Sequence, residues 1–281
     1  QENIYPIDFN GDYDSLLKKI KSENIDLVFN ALHGGDGEDG TLQFFLKDNN
    51  IPYTGSNSKS SKIAMDKNLT KKICLKHKIP TPEWYCFRSK DISKIDSSAL
   101  LDKFSDGCVI KPSREGSSIG MHILKSDKIS ESEIEVATKE VFRIADEIIV
   151  EEYIEGRELT VGILDKKALP VVEIFPKSSF YDYSSKYKKG NCKYLVPAKL
   201  NQNDKFRIKK YALDLHKLVG CDSYSRVDFL MDKSSNIFAL EINTLPGLTD
   251  TSLLPKATKS IGMSYRDTIY KIIDLSYKNS E

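Results

Sequence analysis

One strand pattern near the C-terminus constrains the fold more than any other feature of the chain. Residues 238–253 read FALEINTLPGLTDTSL, in which two oxygen-bearing side chains interrupt an apolar run that ends in a Pro-Gly turn. Side chains alternate along a strand, so Glu241 and Asn243 are predicted on one face, and Leu240 and Ile242 on the other. The pattern therefore predicts a strand with one polar face.

A second strand pattern, SRVDFLMD, lies shortly upstream and places Arg226 and Asp228 on one face. If the two strands pair, three oxygen-bearing side chains and one guanidinium group converge. Carboxylate and amide oxygens suit a hard cation such as Mg²⁺, which keeps coordination positions open for phosphate oxygens. The alternative is an edge strand whose polar side chains face water. Other parts of the sequence have to decide between the two.

Composition limits the class of protein. The chain has 281 residues, 40% of them hydrophobic and 30% charged, which predicts a globular protein of two or three domains with a sizeable core. The formal net charge of +1 favours neither nucleic acid nor membrane as a partner. No apolar run is long enough to span a bilayer. We therefore expect small-molecule partners.

The cysteines and the start of the chain bear on its location. The chain has five cysteines, an odd number, and their spacing matches neither a disulfide framework nor a zinc site. This favours a cytoplasmic location, where thiols stay reduced. No secretory signal is visible, but the chain opens on Gln1, so we expect that an N-terminal piece is missing.

The first part of the chain has the pattern of an α/β fold. Residues 25–32, IDLVFNAL, predict a strand that is followed by a Gly-rich turn and a helix beginning near Glu38. The stretch IPYTGS predicts the next short strand. A helix is expected from Asp66 to His77, and the prolines in KIPTPEWY end it. A domain boundary is therefore expected near residue 65.

The remainder is predicted to alternate strands and helices. The stretch GCVIKPSREGSSIGMHIL indicates a strand, a Gly/Ser turn and a strand, and an acidic helix is expected over 131–147. The stretch EIIVEEYIEGRELTVGIL indicates a pair of strands around Gly156. Residues 178–193 are polar, aromatic and basic, which is typical of a lid loop. The chain closes with an amphipathic helix over 265–277.

The Gly/Ser turn VIKPSREGSSIG is a candidate phosphate site. Lys111 ends the strand, and small residues let backbone N–H groups approach a ligand closely; they are Gly116, Ser117, Ser118 and Gly120. The order of Gly and Lys differs from a Walker P-loop, and no helix follows at once. Taken alone, the turn could also be an ordinary β-hairpin.

Taken together, these stretches resemble one family in order and spacing. The motifs HGGDGEDGTLQ, IPYTGSNSKSSKIAMDK, VIKPSREGSSIGM, FYDYSSKY, SRVDFLMD and EINTLPGLTDTSLLPK are similar to those of the D-alanine–D-alanine ligases of the ATP-grasp superfamily. The resemblance implies an incomplete Rossmann-like substrate domain (1–64) and two ATP-grasp subdomains (65–152 and 153–281). It implies ATP-dependent joining of two D-alanines through an acyl phosphate, for peptidoglycan synthesis.

The resemblance also implies a role for the polar strand faces. Asp228, Glu241 and Asn243 match the residues that hold two Mg²⁺ ions, with Mn²⁺ as a possible substitute. Such ions bridge ATP phosphates and neutralise their charge. Arg226 matches the residue that stabilises the tetrahedral oxyanion, a task suited to a permanently charged, forked donor.

Further positions match ATP contacts of the family. The resemblance assigns Lys67, Lys111 and Ser118 to phosphates, Glu151 to the adenine amino group, Tyr153 and Ile154 to the adenine ring, and Glu158 to the ribose. For the acidic residues of this stretch the alternative is an exposed acidic face.

The substrate side is assigned in the same way. Lys186 matches a lysine that reaches the γ-phosphate, and Tyr187 a tyrosine that bonds Ser117 when the loop closes and excludes water. The second D-alanine carboxylate is expected at Ser252 and Leu253, which follow the turn at Gly247. His33 matches a histidine near the substrates.

One departure from the family concerns the first strand, turn and helix, which carry a glutamate that holds the first D-alanine. They are expected upstream of this chain, whose ENIYPIDF resembles the second strand. Two alternatives to the dipeptide ligase stay open, a D-alanine–D-lactate type ligase and a catalytically impaired nucleotide-binding fragment. Tyr187 favours the dipeptide. The family also implies a homodimer.

Overall fold

The computed structural model describes residues 3–116, 118–125, 129–176 and 192–278 of the chain. Strands and helices in these ranges build two antiparallel sheets that both contribute to one cleft. The helices are α1 (Tyr13–Ser22), α2 (Thr41–Asp48), α3 (Ser58–Met65), α4 (Lys67–Lys76), α5 (Ser97–Lys103), α6 (Glu131–Val141), α7 (Gln202–Val219), α8 (Leu253–Lys259) and α9 (Tyr265–Lys278). None of these helices is long and apolar enough to cross a bilayer.

The first sheet has the strand order β1-β4-β2-β3 within the described residues. Alternate residues of its strands face opposite sides. Cys108 and Ile110 pack against α5 and α6, whereas Val109 and Lys111 line the cleft. The strands are β1 (Trp84–Arg88), β2 (Gly107–Pro112), β3 (His122–Lys125) and β4 (Glu147–Glu152).

The second sheet has the order β10-β9-β5-β7-β8 in the described ranges, and β6 pairs with β5. Helices α3, α4 and α7 contribute to the apolar core on one of its faces, and a neighbouring cluster includes residues of α8 and α9. The opposite face contributes Glu158 and Asp228 to the cleft. The strands are β5 (Arg157–Leu164), β6 (Lys167–Ala168), β7 (Val172–Pro176), β8 (Cys192–Leu195), β9 (Tyr224–Met231) and β10 (Ile237–Asn243).

Several predicted elements are confirmed. Helix α4 starts at Lys67, because the Asp66 carboxylate accepts a hydrogen bond from the backbone N–H of Leu69 and caps the helix. The strand–turn–strand prediction corresponds to β2 and β3, which pair antiparallel. The C-terminal amphipathic helix corresponds to α9. The α/β class holds for the described residues as a mixture of helices and antiparallel sheets.

The N-terminal segment contains less sheet than predicted. The strands expected in IDLVFNAL and IPYTGS are reduced to one parallel bridge between Val28 and Tyr53, and residues 3–10 form no strand. The helix expected near Glu38 begins at Thr41, because Gly34, Gly35 and Gly40 take positive φ values in the turn before it. The segment still has an apolar core, made of Leu16, Ile20, Leu42, Leu46 and Ile51.

Two further predictions are corrected in the middle of the chain. The acidic helix ends at Val141 rather than residue 147, since the apolar β-branched residues of IIV are needed in the first sheet. The strands on either side of Gly156 do not pair with each other, because β4 joins the first sheet and β5 the second. Of the predicted loop 178–193, only 192–193 lie within the described residues, and they begin β8.

Gly156 lies between β4 and β5, which belong to different sheets. The structure predicts that this position has no room for a side chain. A Cβ atom at this position would lie 2.4 Å from the backbone oxygen of Met231. We expect Gly156→Ala to lower the free energy of unfolding by about 2 kcal/mol, because backbone has to shift to relieve the clash. Urea denaturation measures the change. At the control position, Gly116, a Cβ would meet only Glu38 Oε2 at 3.6 Å, and equal losses from both substitutions would contradict the steric explanation.

Candidate active site

The cleft between the two sheets has a volume of about 360 Å³. Its apolar wall includes Val109 and Ile123 from the first sheet and Ile154, which follows β4. The second sheet contributes Leu230 and Leu240. Charged side chains converge on the same space, among them Lys67, Lys111, Glu151, Asp228 and Glu241. Apolar walls with a few convergent polar groups are typical of a small-molecule site.

The two polar strand patterns pair as predicted. Strands β9 and β10 are antiparallel, with Asp228 directly opposite Glu241 and Arg226 opposite Asn243. Directly paired residues of neighbouring strands have their side chains within interaction distance. The pairing therefore brings two carboxylates, one amide and one guanidinium group together. Strand β10 is an edge strand of the described sheet, but its Glu241 lines the cleft together with Asp228.

Asp228 is held by two neighbours. Arg226 donates Nε to one carboxylate oxygen at 2.9 Å and Nη2 to the other at 2.7 Å, a forked ion pair. Thr160, opposite Asp228 on β5, donates its hydroxyl to Oδ1 at 2.6 Å. Because its orientation is fixed from two sides, this carboxylate presents its oxygens to the cleft in one arrangement.

Leu240 corrects the predicted alternation of β10. The sequence predicts it on the face opposite Glu241, but it lines the cleft beside that residue. The register between β9 and β10 shifts between Ala239 and Glu241, as at a β-bulge. The bulge turns one apolar side chain into the cleft and keeps Ala239 and Ile242 in the core.

The polar strand faces provide a donor set that fits a hard cation shared with a ligand. Asp228 and Glu241 supply carboxylate oxygens, and Asn243 supplies an amide oxygen that also accepts the backbone N–H of Leu245 at 2.8 Å. In the described part of the chain, no three His, Cys, Asp or Glu residues gather as metal ligands. A site with only three oxygen-bearing side chains suits Mg²⁺, which takes its remaining oxygen ligands from water and phosphate.

Lys67 sits at the first turn of α4 and faces the cleft. Its ammonium donates to the backbone oxygen of Glu115 at 2.6 Å and lies 3.4 Å from Oε2 of Glu241. The side chain is almost fully buried, so its charge acts in a medium of low polarity. This lysine therefore reaches from the Gly/Ser turn to the acidic face of the second sheet.

Glu151 lies at the floor of the cleft between two lysines. It is 2% exposed, and it forms ion pairs with Lys111 from β2 and with Lys71 from α4. Burial by itself would raise the pKa of Glu151, but the charges of Lys111 and Lys71 outweigh it and lower that pKa below its ordinary value. The carboxylate is therefore ionised, and the alternative of an exposed acidic face does not hold at this position.

The remaining nucleotide candidates line the same cleft. Tyr153 and Ile154 follow the last residue of β4, and Glu158 lies at the start of β5. The ammonium of Lys125 lies over the Tyr153 ring, 5.2 Å from its centroid. Ser118 takes a positive φ of 59° in the Gly/Ser turn and also lines the cleft.

The described residues predicted for substrate do not line this cleft. His33 is exposed and pairs through Nδ1 with Oε1 of Glu38 at 3.1 Å. Ser252 ends the turn that contains Gly247, and its Oγ accepts the backbone N–H of Thr249 at 3.1 Å. Leu253 is buried at the start of α8. Ser117, Lys186 and Tyr187 lie outside the described residues.

Sequence reasoning missed Lys71, Thr160 and Lys125. Lys71 had a signal, because it follows Lys67 by one helical turn and therefore faces the same side of α4. Thr160 had none, since its importance depends on the register between β5 and β9. Lys125 follows the predicted strand directly, and its side-chain direction relative to Tyr153 depends on tertiary packing.

Models of two protein families match the chain. The model described as "D-ala D-ala ligase C-terminus" matches residues 73–274, and the model described as "D-ala D-ala ligase N-terminus" matches residues 8–56. The two matches together include the candidate residues from both sheets, the Gly/Ser turn and the turn before α8.

Relatives agree with the family models. The D-alanine–D-alanine ligase of Methylacidiphilum infernorum is 43% identical over 252 residues, which are 90% of this chain and 79% of the relative. A crystal structure of the Bacillus anthracis D-alanine–D-alanine ligase complexed with ATP superposes with a TM-score of 0.82, at 33% identity, over 96% of this chain and 84% of that one. The VanG D-Ala:D-Ser ligase of Enterococcus faecalis gives 0.78, at 33% identity, over 90% and 73%.

Proposed function

The chain belongs to the D-alanine–D-alanine ligase family of ATP-dependent enzymes with an ATP-grasp fold, and we propose that its cleft binds ATP with Mg²⁺. The reaction is the ATP-dependent joining of two D-alanines for peptidoglycan synthesis. The observation that carries the proposal is the convergence of Lys67 and Lys111 with Asp228 and Glu241 beside an apolar wall. A magnesium nucleotide needs positive groups for its phosphates, carboxylates for its metal ion and an apolar surface for its base.

The nucleotide assignments follow from this cleft. Lys67, Lys111 and the Gly/Ser turn with Ser118 face the phosphates, because they supply positive charge and backbone donors. Tyr153 and Ile154 lie along the adenine ring, and Glu151 lies near its amino group. Glu158, at the start of β5, accepts hydrogen bonds from the ribose hydroxyls.

Asp228, Glu241 and Asn243 hold the magnesium ions, and manganese can replace them, since it takes the same oxygen ligands. When bound, such ions neutralise phosphate charge and polarise the bond to the transferred phosphoryl group. Arg226 orients Asp228 through its forked ion pair. Its guanidinium also stabilises the oxyanion formed when the amine attacks the acyl phosphate.

The substrates belong at the open side of the cleft, near the turn before α8. Ser252, Leu253 and Gly247 receive the carboxylate of the second D-alanine through hydroxyl and backbone donors. His33, paired with Glu38, lies near the substrates on the side of the N-terminal segment. Lys186, Tyr187 and Ser117 close the site over the reacting groups and exclude water from the acyl phosphate, which hydrolyses easily.

Several expectations stay predictions. They are the domain boundaries near 65 and 152, the cytoplasmic location, the homodimer, and the absence of nucleic-acid and membrane partners.

The metal assignment is tested by Glu241→Gln. The substitution removes one ligand charge and keeps the side-chain volume, so we expect ATP-dependent phosphate release to fall by about a hundredfold while the fold is kept. Phosphate release is measured over a Mg²⁺ titration, with circular dichroism to check folding. Glu135→Gln, the same change on the exposed surface of α6, is the matched control. Wild-type turnover of Glu241→Gln at ordinary Mg²⁺ would refute the assignment.

The phosphate assignment is tested by Lys111→Ala. Because Lys111 is assigned to ATP and not to the amino acid, its loss should raise the KM for ATP by about tenfold and leave the KM for D-alanine nearly unchanged. Steady-state kinetics with each substrate varied in turn separates the two constants. Lys139→Ala, on the exposed face of α6, controls for the loss of one positive charge. An effect confined to D-alanine would sink the assignment.

A further inference from the structure

Lys71 is a buried lysine that no role in the proposed reaction uses. It is 0% exposed, although it carries an ammonium group on α4. The ammonium donates to Thr81 Oγ1 at 2.9 Å and to the backbone oxygen of Pro82 at 3.0 Å. A buried charge is costly unless it is paired, so a lysine kept in this place calls for an explanation.

The partner of Lys71 is shared with the cleft. Its Nζ lies 2.7 Å from Oε2 of Glu151, with the geometry of an ion pair rather than of an aligned hydrogen bond. Lys111 takes the other oxygen, Oε1, of the same carboxylate. One carboxylate therefore serves two ammonium groups, and the three charged groups together carry one net positive charge.

The sharing changes what Lys111 can do. A lysine that is the sole partner of a buried carboxylate is neutralised by it and has little attraction left for an anion. Here Lys71 takes up half of the Glu151 carboxylate, so the net positive charge of the group remains on the side that faces the cleft. Lys71 itself lies beneath, behind Pro82, which lines the cleft.

We propose that Lys71 is a positioning residue for nucleotide binding, whose buried ammonium shares Glu151 and thereby keeps the charge of Lys111 available to an anionic ligand. The inference rests on the proposed function, in which that ligand is the phosphate chain of ATP. It assigns Lys71 no contact with the nucleotide.

A purely structural ion pair would behave differently. If Lys71 supports the cleft only structurally, its removal weakens ATP binding by the same factor whether or not Lys111 is present. Charge sharing predicts that removal of Lys71 weakens ATP binding while Lys111 is present, and that it has little further effect once Lys111 is gone. A double-mutant cycle between Lys71 and Lys111 therefore separates the two explanations.

The test compares K71M, K71R, K111A and K71M/K111A in the full chain by isothermal titration calorimetry with ATP and Mg²⁺. K71M leaves Lys111 alone with the carboxylate and should weaken ATP binding by about tenfold. K71R keeps the charge and should stay within about threefold of the unmodified protein. K71M/K111A should bind ATP within about threefold of K111A, because Lys71 then has no charge on Lys111 left to support. The KM for D-alanine should stay nearly constant throughout.

Trp84 provides an independent check on the site. It is the one tryptophan of the chain, lies opposite Glu151 in the sheet, and has Lys71 Nζ 5.3 Å from its ring centroid. Loss of the nearby cation in K71M should therefore shift the emission spectrum of the protein, whereas K71R should preserve it.

Two outcomes would overturn the proposal. One is unchanged ATP affinity in K71M, and the other is a further loss of about tenfold from K111A to K71M/K111A. If K71M does not fold, Lys71→Gln replaces it in the cycle, because its amide keeps a donor for Thr81 Oγ1 and the backbone oxygen of Pro82, and the same two outcomes overturn the proposal. Lys111→Ala separates a failure of the Lys71 proposal from a failure of the proposed function. Normal ATP affinity in that variant would refute the assignment of Lys111 to the ATP phosphates.

Discussion

The buried ion pair between Lys71 and Glu151 is the interaction on which the cleft depends. Glu151 belongs to β4, a central strand of the first sheet, whereas Lys71 belongs to α4, whose Cys74 lies in the core of the second sheet. The pair therefore links the two layers between which the cleft lies. Both side chains are almost fully buried, so loss of Glu151 would leave the Lys71 ammonium without its compensating charge.

Charge is divided across the cleft in a way that suits an anion accompanied by a cation. The first sheet and the start of α4 supply Lys111 and Lys67, and the second sheet supplies Asp228 and Glu241. Across the gap, Lys67 Nζ and Glu241 Oε2 lie 3.4 Å apart. On the proposed function, the phosphates of ATP give Lys67 a better anion and Mg²⁺ gives Glu241 a better cation. Each wall then exchanges an intramolecular partner for part of the same ligand.

Sequence patterns predicted the site better than they predicted the N-terminal segment. Period-two alternation, a local property, places Arg226 with Asp228 and Glu241 with Asn243 on one face of each strand. That these two strands pair, with Asp228 opposite Glu241, is a property of the sheet. The bulge at Leu240 and the role of Thr160 depend on registers between strands, which no single stretch contains. The strands predicted around Val28 and Tyr53 had the right composition, but a strand needs paired neighbours, and in the described residues these two segments share only one bridge.

Asp66 connects the start of α4 to the segment that leads into the Gly/Ser turn. Its carboxylate caps α4, and it also accepts from Arg114 Nε at 2.9 Å, in the segment that leads into the Gly/Ser turn. The backbone N–H of Lys67 adds a bond to the oxygen of Ser113 at 2.9 Å. Lys67 and the Gly/Ser turn therefore cannot move independently of each other. On the proposed function, donors from both bind a phosphate group, and this shared anchor would fix their relative positions before the ligand arrives and reduce the entropy lost on binding.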